Sequence, residues 1–79
     1  MSKEKIRVTS THQDLIFDGF AMDAARMVDN YREMQDGAGM EGVKLLNDFM
    51  FSVETALQDI GYMDDDFNFV VDIYPQNGV

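Results

Sequence analysis

The chain has 79 residues and carries 15 acidic side chains against 6 basic ones, which give a formal net charge of −9. Three of the bases, Lys3, Lys5 and Arg7, precede Val8, so the rest of the chain holds 14 acids and only three bases. A negative field of this strength repels nucleic acid and acidic membrane surfaces, and it attracts basic proteins within a Debye length of roughly 8–10 Å. The composition therefore excludes direct nucleic-acid or membrane binding and favours a basic protein partner.

The remaining composition predicts a small folded domain. Hydrophobic residues make up 46% of the chain, including six phenylalanines and seven methionines, which is more than disordered chains carry. The absence of cysteine excludes disulfides and thiolate metal sites. The charged segment Met1–Arg7 is not followed by an apolar run, so we expect no signal peptide. We expect a single acidic domain spanning residues 1–79, located in the cytoplasm.

The first half of the chain predicts a strand and then a helix. Residues Glu4–Thr9 alternate, with Ile6 and Val8 on one side, which predicts a short strand. Thr11 and Asp14 then form a weak capping box, and Gly37 and Gly39 end the predicted helix. Its apolar stripe consists of Ile16, Phe20, Ala24, Met27, Tyr31 and Met34. A hairpin through Asp18-Gly19, with a strand in Leu15–Phe20, stays open as an alternative.

The second half predicts a helix, a turn and another strand. The helix is the clearest element, with an apolar stripe at Val43, Leu46, Met50, Val53, Leu57 and Ile60. Gly61 is well placed as the left-handed residue after its last turn. Asp64-Asp65-Asp66 then predicts a solvated turn. The alternating segment Phe67–Tyr74, with Phe67, Phe69, Val71 and Ile73 on one face, predicts a strand.

Together these elements predict an α+β domain of order β-α-α-β, in which a short antiparallel sheet packs on two amphipathic helices in two layers. A two-stranded sheet is marginal by itself. We therefore expect a homodimer in which two copies join their sheets edge to edge, whereas a third strand in Leu15–Phe20 would make a monomer adequate.

No pattern predicts catalysis or a cofactor. His12 is the single histidine, and without an elbow motif or a nearby nucleophile it is interpreted as a surface residue. Asp64, Asp66 and Asn68 imitate the start of a calcium loop. Phe69 and Pro75 occupy the places where that loop needs glycine and a bidentate glutamate. We expect a protein that is not an enzyme and that holds no metal and no cofactor.

The acidic residues themselves are the candidate binding site. On the predicted first helix five of them share the face opposite the apolar stripe, namely Asp14, Asp18, Asp29, Glu33 and Asp36. Asp64, Asp65 and Asp66 form a second group. Like charges four residues apart destabilise a helix by a few tenths of a kcal/mol per pair. The sequence keeps these like charges although few basic residues offset their repulsion, which indicates that a partner supplies the positive charge.

In size, lack of cysteine, net charge and these two acidic rows, the chain resembles small acidic bacteriophage proteins that mimic DNA and inhibit host DNA-binding proteins. Among that class it is similar in general appearance to those directed against the bacterial histone-like nucleoid protein HU. The resemblance implies that the partner is a basic host DNA-binding protein, such as a nucleoid-associated protein, and that its cationic DNA-binding surface would be blocked. Such a protein would act in the host bacterial cytoplasm.

A second hypothesis is a small non-enzymatic interaction module, such as an antitoxin, an adaptor or an anti-repressor. It would bind through an apolar surface rich in Met and Phe, including residues such as Met22, Met40, Met63 and Phe51. Binding by a DNA mimic should weaken steeply with salt, whereas binding through an apolar surface should not.

Overall fold

The computed structural model describes residues 4–10, 15–38 and 44–74, apart from the side chains of residues 35–38, 44 and 45. In chain order the elements are β1 (Lys5–Thr9), β2 (Ile16–Phe20), α1 (Ala21–Ala38) and α2 (Lys44–Asp59). The two strands form one antiparallel sheet, which the helices cover on one face. The predicted α+β class, with a short antiparallel sheet on two amphipathic helices, is confirmed. The order is ββαα, because the second strand comes from Ile16–Phe20.

The hairpin replaces the first part of the predicted first helix. Its register places Arg7 opposite Asp18 and Val8 opposite Phe17. The hairpin is closed at Ser10, whose N–H donates to the Leu15 carbonyl at 2.9 Å and whose Oγ accepts from the Leu15 N–H at 3.3 Å. The predicted helical conformation of residues 15–20 is therefore wrong, and the alternative of a strand in Leu15–Phe20 is confirmed, whereas Asp18-Gly19 lies within β2 and not at a turn. Leu15, Phe17 and Gly19 alternate with exposed neighbours, which is a strand period, and glycine disfavours a helix.

Helix α1 begins directly after the hairpin and buries a face of small residues. Ala21, Ala24, Ala25 and Val28 have no exposed surface, so α1 can lie close to its neighbours. The predicted apolar stripe is partly wrong, because the predicted helix includes residues 15–20, whereas α1 begins at Ala21. Three of its members are exposed, namely Ile16, Phe20 and Met34, at 53%, 41% and 54%. The predicted capping box at Thr11 and Asp14 lies outside the described residues.

Helix α2 matches its prediction. Met50, Val53 and Leu57 of the predicted stripe are buried, with Phe49 beside them. At the end of the helix Gly61 has a φ of 87°, in the left-handed region. The Tyr62 N–H donates to the Leu57 carbonyl at 2.9 Å and the Gly61 N–H to the Gln58 carbonyl at 3.1 Å. These two bonds form a Schellman motif, which turns the chain back across the helices.

The segment that follows, residues 62–74, consists of turns and bends and is not the predicted strand. It contains only an isolated bridge, between Met63 and Phe69. The predicted facing is correct, since Phe67, Phe69, Val71 and Ile73 are buried or half-buried and the residues between them are exposed. Alternation of apolar and polar residues indicates which face of a segment is covered, whereas a β-strand also needs another strand to pair with. Within the segment the Val70 N–H donates to the Tyr62 carbonyl at 3.0 Å and the Asp64 N–H to the Asn68 carbonyl at 2.9 Å, and arginine side chains from α1 bind two further carbonyls.

Candidate acidic interaction surface

Two arginines of α1 hold the segment 62–74 in place. Arg26 Nε donates to the Ile73 carbonyl at 2.7 Å, and its Nη1 lies 3.2 Å from Asp23 Oδ1. Arg32 donates to the Phe67 carbonyl at 3.1 Å and pairs with Glu54 of α2 at 2.7 Å. Both guanidinium groups are thus occupied within the fold, and each pairs with one acid.

The other two described cations lie on the outer face of the hairpin. Lys5 lies over the Phe20 ring at 5.3 Å, and Arg7 is the cross-strand partner of Asp18. The helices cover the opposite face of this sheet. The basic side chains of the hairpin are therefore separated from the acidic residues of the helices.

Most of the acids have no basic partner. The described side chains include twelve carboxylates, of which only Asp23 and Glu54 form ion pairs within the described part of the chain. Of the ten others, nine are exposed and only Asp29 is half-buried. The remaining three acids of the sequence, Asp14, Asp36 and Glu41, have no described side chain. The described part of the protein therefore presents a surface of carboxylates that its described cations leave unneutralised.

The predicted helical row is only partly realised. Asp29 and Glu33 lie one turn apart on α1, and we call these two residues the α1 row. Asp36 belongs to the same helix, although its side chain is not among those that the structure describes. Asp18 does not join the row, because it lies in β2 on the outer face of the hairpin. Asp14 lies outside the described residues.

The charges of the α1 row affect the pKa of Tyr74. Partial burial raises the pKa of the Tyr74 hydroxyl, and its hydrogen bond to Asp29 raises it further. The charges of Asp29 and Glu33 act in the same direction, against the opposing charge of Arg26. Both carboxylates therefore lie close enough to Tyr74 to disfavour a further negative charge there. The row is a region of concentrated negative potential.

The second predicted group, Asp64, Asp65 and Asp66, forms the exposed turn that was expected, and its members have different roles. Asp64 Oδ1 accepts from the backbone N–H groups of Asp66 and Asn68, each at 2.9 Å. Gln58 of α2 donates to the Asp64 carbonyl at 2.9 Å, which fixes the turn to that helix. Asp65 and Asp66 make no side-chain bond within the described residues. Asp64 thus shapes the turn, and the other two carboxylates are free to meet a partner.

A groove between the helices is the main feature that the sequence did not reveal. It has a volume of about 450 Å³ and is lined mostly by apolar side chains of α1 and α2, among them Met27, Met34, Leu46 and Met50. Of the residues named for an apolar binding surface, Met63 is buried in the core and Met22 is half-buried. Phe51 is 58% exposed, and Met40 lies outside the described residues.

Neither described helix is long and apolar enough to cross a membrane. Within the described part of the chain, no three His, Cys, Asp or Glu side chains are grouped so that they could hold a metal ion. His12 is not among the described residues. No protein-family model, curated protein or solved structure matches the chain.

Proposed function

We propose that this protein is a DNA mimic, which binds the cationic DNA-binding surface of a basic host protein and blocks its access to DNA. The observation that carries the proposal is the set of ten described carboxylates without an ion pair, while the arginines of the body are engaged with Asp23 and Glu54. A protein under selection for solubility alone would intersperse basic residues among these acids. Here the neutralising charge would come from the partner.

The density of charge agrees with this role. The longest dimension of the molecule is 39 Å. Duplex DNA of that length carries about 23 phosphates on its two strands, at one charge per ~1.7 Å, and about half of them face any one side. Twelve described carboxylates, distributed over all faces of the molecule, amount to about half of the total number of phosphates. Proteins that bind DNA without regard to sequence gain most of their affinity from phosphates, so they are the partners that this surface would compete for.

Competition with DNA tests the proposal directly. The histone-like nucleoid protein HU, bound to a fluorescently labelled duplex, would be titrated with this protein, and release of the duplex followed by anisotropy. We expect release at low ionic strength and a steep loss of release as salt is raised. In the same assay, other basic DNA-binding proteins would define the range of targets. Complexes that all stay intact at low salt would refute the proposal.

Neutral substitutions identify the surface involved. Glu33→Gln, Asp65→Asn and Asp66→Asn together remove three exposed carboxylates and leave the structural Asp64 unchanged. Exposed ion pairs contribute about 0.2–1 kcal/mol each, so the triple variant should compete roughly ten-fold less well. Asp18→Asn is the matched control, because Asp18 lies beside Arg7 on the hairpin. An equal effect of control and triple variant would place the binding surface elsewhere.

The groove favours a second candidate, an interaction module that binds an apolar segment of another protein. Methionine side chains adapt to different partners, and Met27, Met34 and Met50 line the groove. Met34→Glu would place a charge at the edge of this groove, where the native side chain is 54% exposed. If this candidate is right, Met34→Glu abolishes binding to the partner, the triple acidic variant does not, and binding depends little on salt.

We also propose that the protein forms a homodimer. Within the described residues the sheet has two strands, so β1 and β2 each have one edge without a neighbour there. Pairing of these edges between two copies would extend a sheet that is marginal at this size. Sedimentation equilibrium at several protein concentrations tests the dimer, and a monomer at every concentration would exclude it.

A further inference from the structure

Three of the four described cations lie over aromatic rings. Lys5 is 5.3 Å from the Phe20 ring centre, Arg26 is 6.0 Å from that of Tyr74, and Arg32 is 5.5 Å from that of Phe69. The two arginines also pair with a carboxylate, Asp23 or Glu54. The fold therefore uses the same arrangement twice, in which an arginine lies between an aromatic ring and an acid. Both elements attract a guanidinium group.

A third set of rings and acids has no cation over its rings within the described residues, although Arg32 donates to the Phe67 carbonyl. The Phe51 and Phe67 rings are 5.7 Å apart and inclined by 50°, and Phe51 is 58% exposed. Asp48 precedes Phe51 by one helical turn on α2, and residues three apart on a helix are neighbours. Asp65 and Asp66 directly precede Phe67 in the chain. Phe51 is thus exposed beside the half-buried Phe67, and three carboxylates that have no ion pair within the described residues, Asp48, Asp65 and Asp66, occupy neighbouring positions along the chain.

The backbone of Phe67 indicates that this ring has a specific position to occupy. Its φ is 62°, a left-handed conformation that is a genuine outlier for a bulky residue and that glycine or asparagine would adopt with less strain. The conformation is held by the Phe67 N–H bond to the Asp64 carbonyl at 3.0 Å and by the Arg32 bond to the Phe67 carbonyl. Strain that is maintained by its surroundings is concentrated at functional sites. Here its effect is to place an aromatic ring beside Phe51 and the acidic turn.

We propose that the Phe51–Phe67 pair, with Asp48, Asp65 and Asp66, receives an arginine side chain of the basic partner. The inference rests on the proposed function in that it takes the partner to be basic. Charge complementarity selects a cation rather than an apolar segment or a second acidic copy of this chain. Arginine fits better than lysine because its flat, weakly hydrated guanidinium stacks on a ring while it donates to carboxylates. The site would thus add a preference for arginine to a surface that otherwise attracts any positively charged group.

Two short peptides test this preference without knowledge of the natural partner. Peptides of alternating arginine and glycine, or lysine and glycine, would be titrated into the isotopically labelled protein, with the Phe51 and Phe67 ring signals followed by NMR. We expect the arginine peptide to bind about two- to five-fold more tightly, the contribution of an exposed cation–aromatic contact. Phe51→Leu should reduce this ratio to about one while the affinity for the lysine peptide is kept. Phe20→Leu is the control, because Lys5 already covers that ring.

The possible outcomes separate this inference from the proposed function. Equal binding of the two peptides, or an arginine preference that persists in Phe51→Leu, would overturn the inference. If the double variant Asp65→Asn, Asp66→Asn binds both peptides more weakly than the native protein, the acidic surface binds cations. The proposed function then stands, whether or not arginine is preferred. If those neutral variants change neither peptide's affinity, the proposed function fails for this surface. Ring signals that shift with protein concentration alone would identify a second copy as the occupant and would also overturn the inference.

Discussion

Asp64 contributes to the protein as a structural residue as well as a negative charge. One of its oxygens accepts two backbone N–H groups, and its own carbonyl accepts from Gln58 and from the Phe67 N–H. The D-x-D-x-N spacing that imitates a calcium loop is therefore explained by hydrogen bonds within the turn. A variant that removes all three carboxylates of the turn would change its shape together with its charge.

Substitution at Asp64 distinguishes these two roles. Asp64→Ala removes the acceptor of two exposed N–H groups, which water can then bind, and should lower the free energy of unfolding by about 0.5–1.5 kcal/mol. Asp64→Asn keeps an acceptor oxygen and should restore most of this loss. Asp65→Ala, at an exposed neighbour, should change the stability by less than about 0.5 kcal/mol. Urea unfolding followed by circular dichroism measures all three variants, and equal losses for Asp64→Ala and Asp65→Ala would contradict the structural role.

At the scale of elements, the segment 62–74 is fixed by side chains of α1. Arg32 binds Glu54 and the Phe67 carbonyl, and Arg26 binds the Ile73 carbonyl. In addition, Ile73 and Met63 are buried in the core. The segment thus completes the core without joining the sheet, and its attachment depends on two arginines.

Loss of Arg32 should therefore loosen this segment. Arg32→Met keeps much of the apolar stem but leaves Glu54 and the Phe67 carbonyl without their donor. Because both side chains are partly exposed, we expect a modest loss, about 1–2 kcal/mol. Hydrogen exchange should accelerate across residues 67–74 more than in α2. Arg7→Met on the hairpin is the control, and the same exchange pattern in both variants would argue against the attachment.

The sequence predicts the elements that are specified by a continuous pattern of residues. It does not predict those that depend on contacts with residues far away in the chain. Helix α2 and its glycine end were predictable, because its stripe and Gly61 lie within one continuous pattern. The segment Phe67–Tyr74 has a strand's alternation, yet its backbone bonds to Tyr62 and Asp64 just before it and to two arginines 35 and 47 residues away, which no local pattern reveals. The α1 row was predictable from residue spacing for Asp29 and Glu33. Asp18 was misplaced, because the residues around it fit both a helix and a hairpin.

At the scale of the whole molecule, the unneutralised carboxylates repel one another, and this repulsion opposes folding. We therefore expect the melting temperature to rise when sodium chloride is increased from 10 to 200 mM, because screening weakens interactions between exposed charges. The triple variant with Glu33→Gln, Asp65→Asn and Asp66→Asn should melt at a higher temperature in low salt and show a smaller rise. Differential scanning calorimetry measures both effects, and a melting temperature independent of salt would contradict them.

The position of Lys5 and Arg7 has a consequence for how the protein approaches a partner. Among the described side chains, Lys5 and Arg7 outnumber Asp18 on the outer face of the hairpin, whereas unpaired carboxylates predominate on the helices that cover its other face, and this asymmetry gives the molecule an electric dipole. A cationic protein would rotate this dipole during diffusion, so that the helices lead and the hairpin trails. Encounters would then be pre-oriented, and the association rate would exceed the value expected from net charge alone.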